Sequence, residues 1–553
     1  MSRPKKLISL ALALVVSLGV ASCDNFLDVN QDPNNPQDVR MDLTLPGMLV
    51  NFAHDVLGPT WIRYVNLVGP VGMGTEWLQQ WSDNRDRHTY AQYQWYEVAN
   101  TDANGYWGSS YSRVMNEASN IMRRSAEAGR WQHHGIAKLI LAWNMSLVAD
   151  AFGPVPFSEA LDPRIRDPEY DSQEEVYANI FRLIDEAIDE MRRDDIIPPS
   201  TNDILFGGDM DAWVRLANSL KARLNLRVAY APGENTQQRA QTALDAVRAG
   251  IRSPAHAPTV EYPGEAEGQR QPWYTFETSS EGTGIRTRSS KWYIDMLKEH
   301  EDPRLPIMAN PASWWCPEPD VSYLPAEDCI PAAEYSDEPI YRGNLSGSPG
   351  EPDSAISRLG SFFTADSASH VWFTYEDTKF IEAEALLILN GAGAADGAYR
   401  EGIRANMERL GVAQADIDAY LAATPPLGSQ GNPLEELITE KFKANFLRCE
   451  VWHDWRRTGY PVVPLVEERV IEGIPQRMRT PANEMAYNAE SVAATGISTG
   501  LDGMLVRVWW ASGSPPFCSH SAWRSRSTCS ACWQRGWRLR QASGSRSRSS
   551  SCC

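Results

Sequence analysis

Gly135-Ile136-Ala137-Lys138-Leu139-Ile140-Leu141-Ala142-Trp143-Asn144-Met145-Ser146-Leu147-Val148-Ala149-Asp150-Ala151-Phe152-Gly153-Pro154-Val155-Pro156 is the stretch that decides the architecture of this chain. Ile136, Leu139, Ile140, Trp143 and Leu147 recur at helical spacing and predict a helix over about 135–150. Its remaining faces are nearly as apolar, so it is expected at the centre of the molecule. Gly153, Pro154 and Pro156 then stop it.

Working outward, Val114, Ala118, Ile121, Met122 and Ser125 mark one face of a helix over about 112–128. Ser172 and Glu175 form a capping-box pattern, opening a helix with Val176, Ile180, Ile184, Ala187 and Met191 on one side. Trp213, Leu216, Ala217, Leu220 and Leu224 run through another over about 211–231, and Thr236 to Ala249 is a shorter one ended by Gly250. Paired helices on short turns predict a mainly α, tetratricopeptide-like scaffold, although no strict repeat signature is present. Residues 251–373 differ: Pro, Gly, Ser and aromatics are common, helical periodicity is weak, and a loop-rich lobe with short strands is expected. Helices return over about 374–390, 396–410 and 433–448, the last opened by Asn432-Pro433. The scaffold thus spans about 41–250 and 374–510.

The N-terminus reads as a leader. Arg3, Lys5 and Lys6 precede an apolar run from Leu7 to Val20, too short to span a bilayer as a stable anchor. Val20-Ala21-Ser22-Cys23 ends it. That ending resembles the bacterial lipobox, which implies cleavage after residue 22 and acylation of Cys23. Residues 23–40 are polar and Pro-broken, as suits a tether. Asp28, Asn30 and Asp32 alternate like the start of a calcium loop, but Pro33 and Val39 replace its turn Gly and closing Glu, so no metal site is expected. Apart from the leader, no segment reads as long and apolar enough to cross a membrane.

The net charge of −19 argues against a nucleic-acid partner. Residues 511–553 break the composition: they hold 13 Ser, 7 Arg, 5 Cys and 3 Trp, with no Asp, Glu or Lys. Such a tail cannot build a core. It fits out-of-frame translation of GC-rich DNA, or a basic disordered extension. Of the other cysteines, Cys316 and Cys329 share a Pro-rich loop and either close a disulfide or remain thiols.

Motifs for catalysis are missing. There is no nucleophile elbow, phosphate loop or zinc helix. The glycines between Gly391 and Gly397 read as an inter-helix turn and not as a dinucleotide fingerprint. His133 and His134 are adjacent and point apart. No enzyme activity and no cofactor are expected; a glycan hydrolase is a remote alternative, since carboxylates are too numerous to single out a pair.

Five blocks carry a family resemblance: Ala149 to Leu161, Asp203 to Leu224, Lys379 to Ala385, Glu450 to Pro461, and Arg477 to Asn488. In this order they resemble the SusD/RagB family of outer-membrane nutrient-binding lipoproteins, over about residues 23–510. The resemblance implies a tetratricopeptide-like scaffold and a SusC-like, TonB-dependent transporter as partner. It also implies an oligosaccharide or peptide ligand, display on the outer membrane, and binding without catalysis. An adhesion protein without a small ligand is the alternative. Within the blocks, Asp454, Arg456 and Arg457 are expected to form ion pairs, Gly153 and Pro156 to shape a turn, and Asn218 to tie down a neighbouring loop.

Flat ligands such as sugars call for stacking aromatics beside amides, carboxylates or guanidinium groups. Trp77, Trp81, Asp83, Asn84 and Arg85 supply both kinds, with Trp77 and Trp81 on one face if the stretch is helical. On that reading Trp81→Ala abolishes binding and barely moves the melting temperature. Trp314 and Trp315 are the second candidate pair, and core packing is the alternative for both patches.

Overall fold

The computed structural model describes residues 41–58, 69–83, 91–162, 164–266, 269–278, 287–315, 330–348 and 353–513. Cys23 with its tether, Asn84, Arg85, Cys316, Cys329 and tail residues 514–553 lie outside these. The longer helices are α1 (Met41–Asn51), α2 (Pro70–Trp77), α3 (Asn116–Glu127), α4 (Trp131–Phe152), α5 (Gln173–Met191), α6 (Met210–Val228), α7 (Thr236–Ala249), α8 (Lys291–Glu299), α9 (Tyr375–Asn390), α10 (Ala392–Arg409), α11 (Gln414–Ala423), α12 (Pro433–Ala444) and α13 (Glu450–Thr458). The strands are β1 (Trp81–Asp83), β2 (Thr259–Val260), β3 (Thr287–Ser289), β4 (Ala309–Asn310), β5 (Trp314–Trp315), β6 (Ile330–Pro331), β7 (Arg358–Leu359) and β8 (His370–Val371). They form antiparallel pairs β1–β3, β2–β8, β4–β7 and β5–β6.

Helix α4 is the central element, as its uniform apolarity requires. Contrary to the expectation that no segment beyond the leader is long and apolar enough to cross a membrane, this helix is, yet its apolar window is entirely buried in the core. Lys138, which interrupts the apolar surface, is neutralised by Glu186 at 2.8 Å and Glu190 at 2.7 Å on α5. The first backbone N–H groups of α4, at Trp131 and Gln132, donate to Asp195 beyond α5 at 2.8 and 2.9 Å, so the cap comes from the neighbouring element. Gly153 stops the helix at φ +82°, and a Cβ there would lie 3.1 Å from Arg477 Nη1. Arg477 donates to the carbonyl of Phe152 and closes this end.

Neighbours along the chain stack into a ladder: α3 on α4, α4 on α5, α5 on α6, and α6 on α7. Ser172 caps α5 with a complete capping box. The ladder then skips the 125 residues between α7 and α9: α9 packs directly on α7, and Thr378 Oγ1 donates to the Ile251 carbonyl at 3.0 Å. Residues 250–374 are therefore an insertion between two consecutive rungs. Among the described residues this insertion holds short strands and mostly short helices, and β1–β3 pairing stitches it to the N-terminal region.

Buried charge clusters fix the rungs. Glu450 of α13 bridges Arg223 (3.2 Å) and Arg227 of α6; Arg227 also pairs with Asp150 of α4, and Arg223 with Asp377 of α9 at 3.0 Å. Burial alone would raise the Glu450 carboxyl, but the two guanidinium groups hold it well below the usual range. A second cluster joins Arg304 to Asp302 (2.6 Å) and Glu440 (2.7 Å), and Lys443 to Glu440 (2.7 Å), locking the insertion to α12. Burial opposes ionisation of Glu440, yet Lys443 and Arg304 bring it down to about 2.

Several expectations need adjustment. Arg457 pairs with Asp454 (2.7 Å) and with Glu384, but Arg456 has no carboxylate partner among the described residues. Its guanidinium lies 3.6 Å over the Trp452 ring and donates to the Asp150 and Gln476 carbonyls. Asn218 bonds back to Val214 on its own helix at 2.8 Å; the neighbouring Ser219 ties the loop, accepting from Ile251 N–H at 2.9 Å. Only Gly391 forms the turn before α10, and Gly393 and Gly397 lie inside that helix. The helix expected over 433–448 ends at Ala444.

Candidate functional site

The exposed aromatic surface of the insertion is built on the β5–β6 hairpin. Trp314 pairs across it with Pro331 and Trp315 with Ile330. A short helix, Ala332–Tyr335, follows directly, and its first N–H donates to the Ser313 carbonyl at 3.0 Å. This return brings Tyr335 over Trp315, with ring centroids 4.0 Å apart and planes at 8°. Successive strand residues point to opposite faces, so Trp314 projects away from that stack and is 39% exposed. Tyr335 is 54% exposed. Glu334, Asp337 and Glu338 are exposed on the same segment. Flat apolar rings beside hydrogen-bonding acceptors suit the C–H faces and hydroxyls of a sugar. Tyr335 was missed in the sequence because nothing local links it to Trp315, twenty positions earlier.

The first candidate patch is a different object. Trp77 and Trp81 are each only 1% exposed. Helix α2 ends at Trp77, Gln79 takes φ +51°, and Trp81 opens β1, so the two rings do not share a helical face. Trp77 donates to the Tyr93 carbonyl at 3.2 Å and crosses Trp452 edge-on at 5.2 Å. Trp81 donates to Thr75 Oγ1 at 2.9 Å. Asp83 is buried beside them, and its carbonyl accepts from Asn344. With both indole donors satisfied internally and both rings enclosed, neither Trp offers a face to a ligand in this conformation.

Cys449, Glu450 and His453 are the described residues whose ligand atoms come closest to a metal-binding set, all within 4.8 Å. Their chemistry opposes it. Glu450 is committed to Arg223 and Arg227, burial pushes the Cys449 thiol up to about 12, and burial pushes His453 down to about 4. A cation placed there would meet two guanidinium groups. His134 likewise serves structure, 2.6 Å from Glu190.

The family described as "Starch-binding associating with outer membrane" (SusD-like) matches residues 70–481. Among solved structures, a SusD/RagB family protein from Bacteroides thetaiotaomicron is 23% identical with a TM-score of 0.69, covering 86% of this chain and 100% of its own. A chitin-binding SusD homologue from Flavobacterium johnsoniae is 22% identical with a TM-score of 0.69, covering 85% and 99%. A SusD homologue from Bacteroides uniformis is 23% identical with a TM-score of 0.67, covering 86% and 100%. Curated protein sequences contain no match. The structural likenesses establish the tetratricopeptide-like helical fold, and the match across most of the sequence establishes membership: the chain belongs to the SusD-like (SusD/RagB) family.

Proposed function

We propose that this protein is a cell-surface lipoprotein that binds glycan and passes it to a TonB-dependent, SusC-like transporter in the outer membrane. The family match over residues 70–481 carries the reading, because that family is described as starch-binding and outer-membrane-associating. The chitin-binding homologue of the same fold supports a saccharide ligand. Cys23 is the lipid attachment point, and residues 23–40 are the tether that keeps the binding domain close to its barrel. Trp314, with Trp315 stacked under Tyr335, is the binding platform.

The test is calorimetric titration of the detergent-solubilised full chain with malto- and chito-oligosaccharides. Binding of at least one series is expected, and Trp314→Ala should weaken it by at least about tenfold, the usual scale for a stacking Trp anchor. Its melting temperature should stay at the wild-type value, since the ring is exposed. If neither series binds, or if the variant binds as well as wild type, the reading fails. Co-purification of a barrel transporter with the native lipoprotein tests the partner; its absence from gently solubilised membranes would count against delivery.

A further inference from the structure

A cavity of about 80 Å³ opens where α4, α6 and the start of α13 meet the insertion. Its apolar wall includes Trp273, Trp372 and Phe362, and Phe362 is 42% exposed, so the wall continues out to solvent. Its polar wall is unusual for what it lacks. Gln271 is only 4% exposed; its Oε1 accepts from Tyr274 N–H at 3.0 Å, while its Nε2 has no partner among the described residues. Arg409 spends its Nε on Glu376 at 2.6 Å, and its two terminal nitrogens have no partner among the described residues. Arg448 donates through Nη2 to the Trp372 carbonyl at 2.6 Å, and its Nη1 reaches Asp377 only at 3.4 Å. Arg223 and Glu450, which also line the cavity, satisfy each other at 3.2 Å.

Unused donors thus face this space from Gln271 and Arg409, with the paired guanidinium of Arg448 beside them. The carboxylates that balance their charge, Glu376 and Asp377, are not among the lining residues. These donors face the open cavity, and the guanidinium fork matches a carboxylate in shape and charge. One water needs about 10–15 Å³ of such space, so a carboxylate fits with room to spare. The sugar ring that carries it would lie toward the opening, against Phe362.

We infer that this cavity is a subsite for the carboxylate of an acidic saccharide, a uronate, bound by Gln271, Arg409 and Arg448. The assignment rests on the glycan-binding reading above and adds a substrate class to it. The chain's net charge of −19 opposes long polyanions, so the subsite selects a single or terminal uronate.

Titration of the full chain in detergent at pH 7 with glucuronate, glucose and acetate tests this. Glucuronate is expected to bind, with glucose at least about tenfold weaker and acetate weaker too, and with affinity that falls as salt rises. Gln271→Glu keeps the acceptor that caps the Tyr274 N–H and replaces the free donor with a like charge. It should weaken glucuronate by at least about tenfold and leave oligosaccharide binding at the Trp314 platform intact. Arg409→Lys, which keeps the charge facing Glu376 but removes the fork, should weaken glucuronate as well. The inference is overturned if glucuronate does not bind, if glucose or acetate matches it, or if both variants bind it like wild type. Failure of the neutral oligosaccharides alone would instead strike the proposed function.

Discussion

Replacing Glu450 with Gln isolates the electrostatic joint between the helical rungs. The carboxylate is buried and shared by Arg223 and Arg227, which are themselves 6% and 3% exposed at their side chains. Removing one partner of a buried pair costs about 3–5 kcal/mol, because the charge left behind has no water to turn to. Asp377 and Asp150 remain as second partners for the two arginines, and Gln keeps one acceptor, so the low end, about 3 kcal/mol, is expected. Urea unfolding of both proteins at pH 7 measures it. Acid supplies an independent check. The folded-state pKa of Glu450 lies below its ordinary value of 4.5, so its contribution is complete above that pH and is lost as pH falls through the depressed value. The gap between wild type and Glu450→Gln should therefore narrow progressively below pH 4.5. A loss under about 1 kcal/mol at pH 7, within the range of an exposed pair, or a gap that stays constant into acid, would refute the joint.

Trp81→Ala should destabilise by about 3–5 kcal/mol, read by the same urea unfolding, since it empties a core position and removes the indole bond to Thr75; a stable variant that has lost only ligand affinity would restore Trp81 to the binding surface. Cys23→Ser should release the protein from the membrane fraction on cell fractionation, and retention of the variant there would remove Cys23 as the anchor.

What the sequence made legible was what local chemistry decides. The Ser172–Glu175 box, the Asn432-Pro433 start and the Gly153 stop each act within one helical turn, and each is found in place. The contact of α9 on α7 was invisible, because it joins residues on either side of an insertion with no periodicity of its own. The Trp77–Trp81 stretch misled for the same reason in reverse. A helix over both rings was a fair expectation from spacing, but Gln79 adopts φ +51° without any glycine to announce it. The bonds that hold this non-helical path come from far along the chain: Gln80 donates to the Phe442 carbonyl at 3.1 Å and accepts from Leu447 N–H at 2.8 Å.

The same distinction separates the two surfaces proposed for ligand. Trp314 and Trp315 could be read from sequence because a Trp pair in an irregular, Pro-rich stretch has few neighbours to bury it, and a two-residue strand can hide only one of its faces. The carboxylate subsite could not. Gln271, Arg409 and Arg448 come from the insertion, from the end of α10 and from the turn before α13, and each is unremarkable alone. What marks them is a deficit: donors brought to one cavity while the matching acceptors are taken up elsewhere. Sequence composition counts charges and so sees only an acidic chain, whereas recognition depends on which partners the fold leaves unsatisfied. A protein of net charge −19 can therefore present an anion-selective recess, provided that a carboxylate reaching the cavity, here Glu450, is already paired with guanidinium groups.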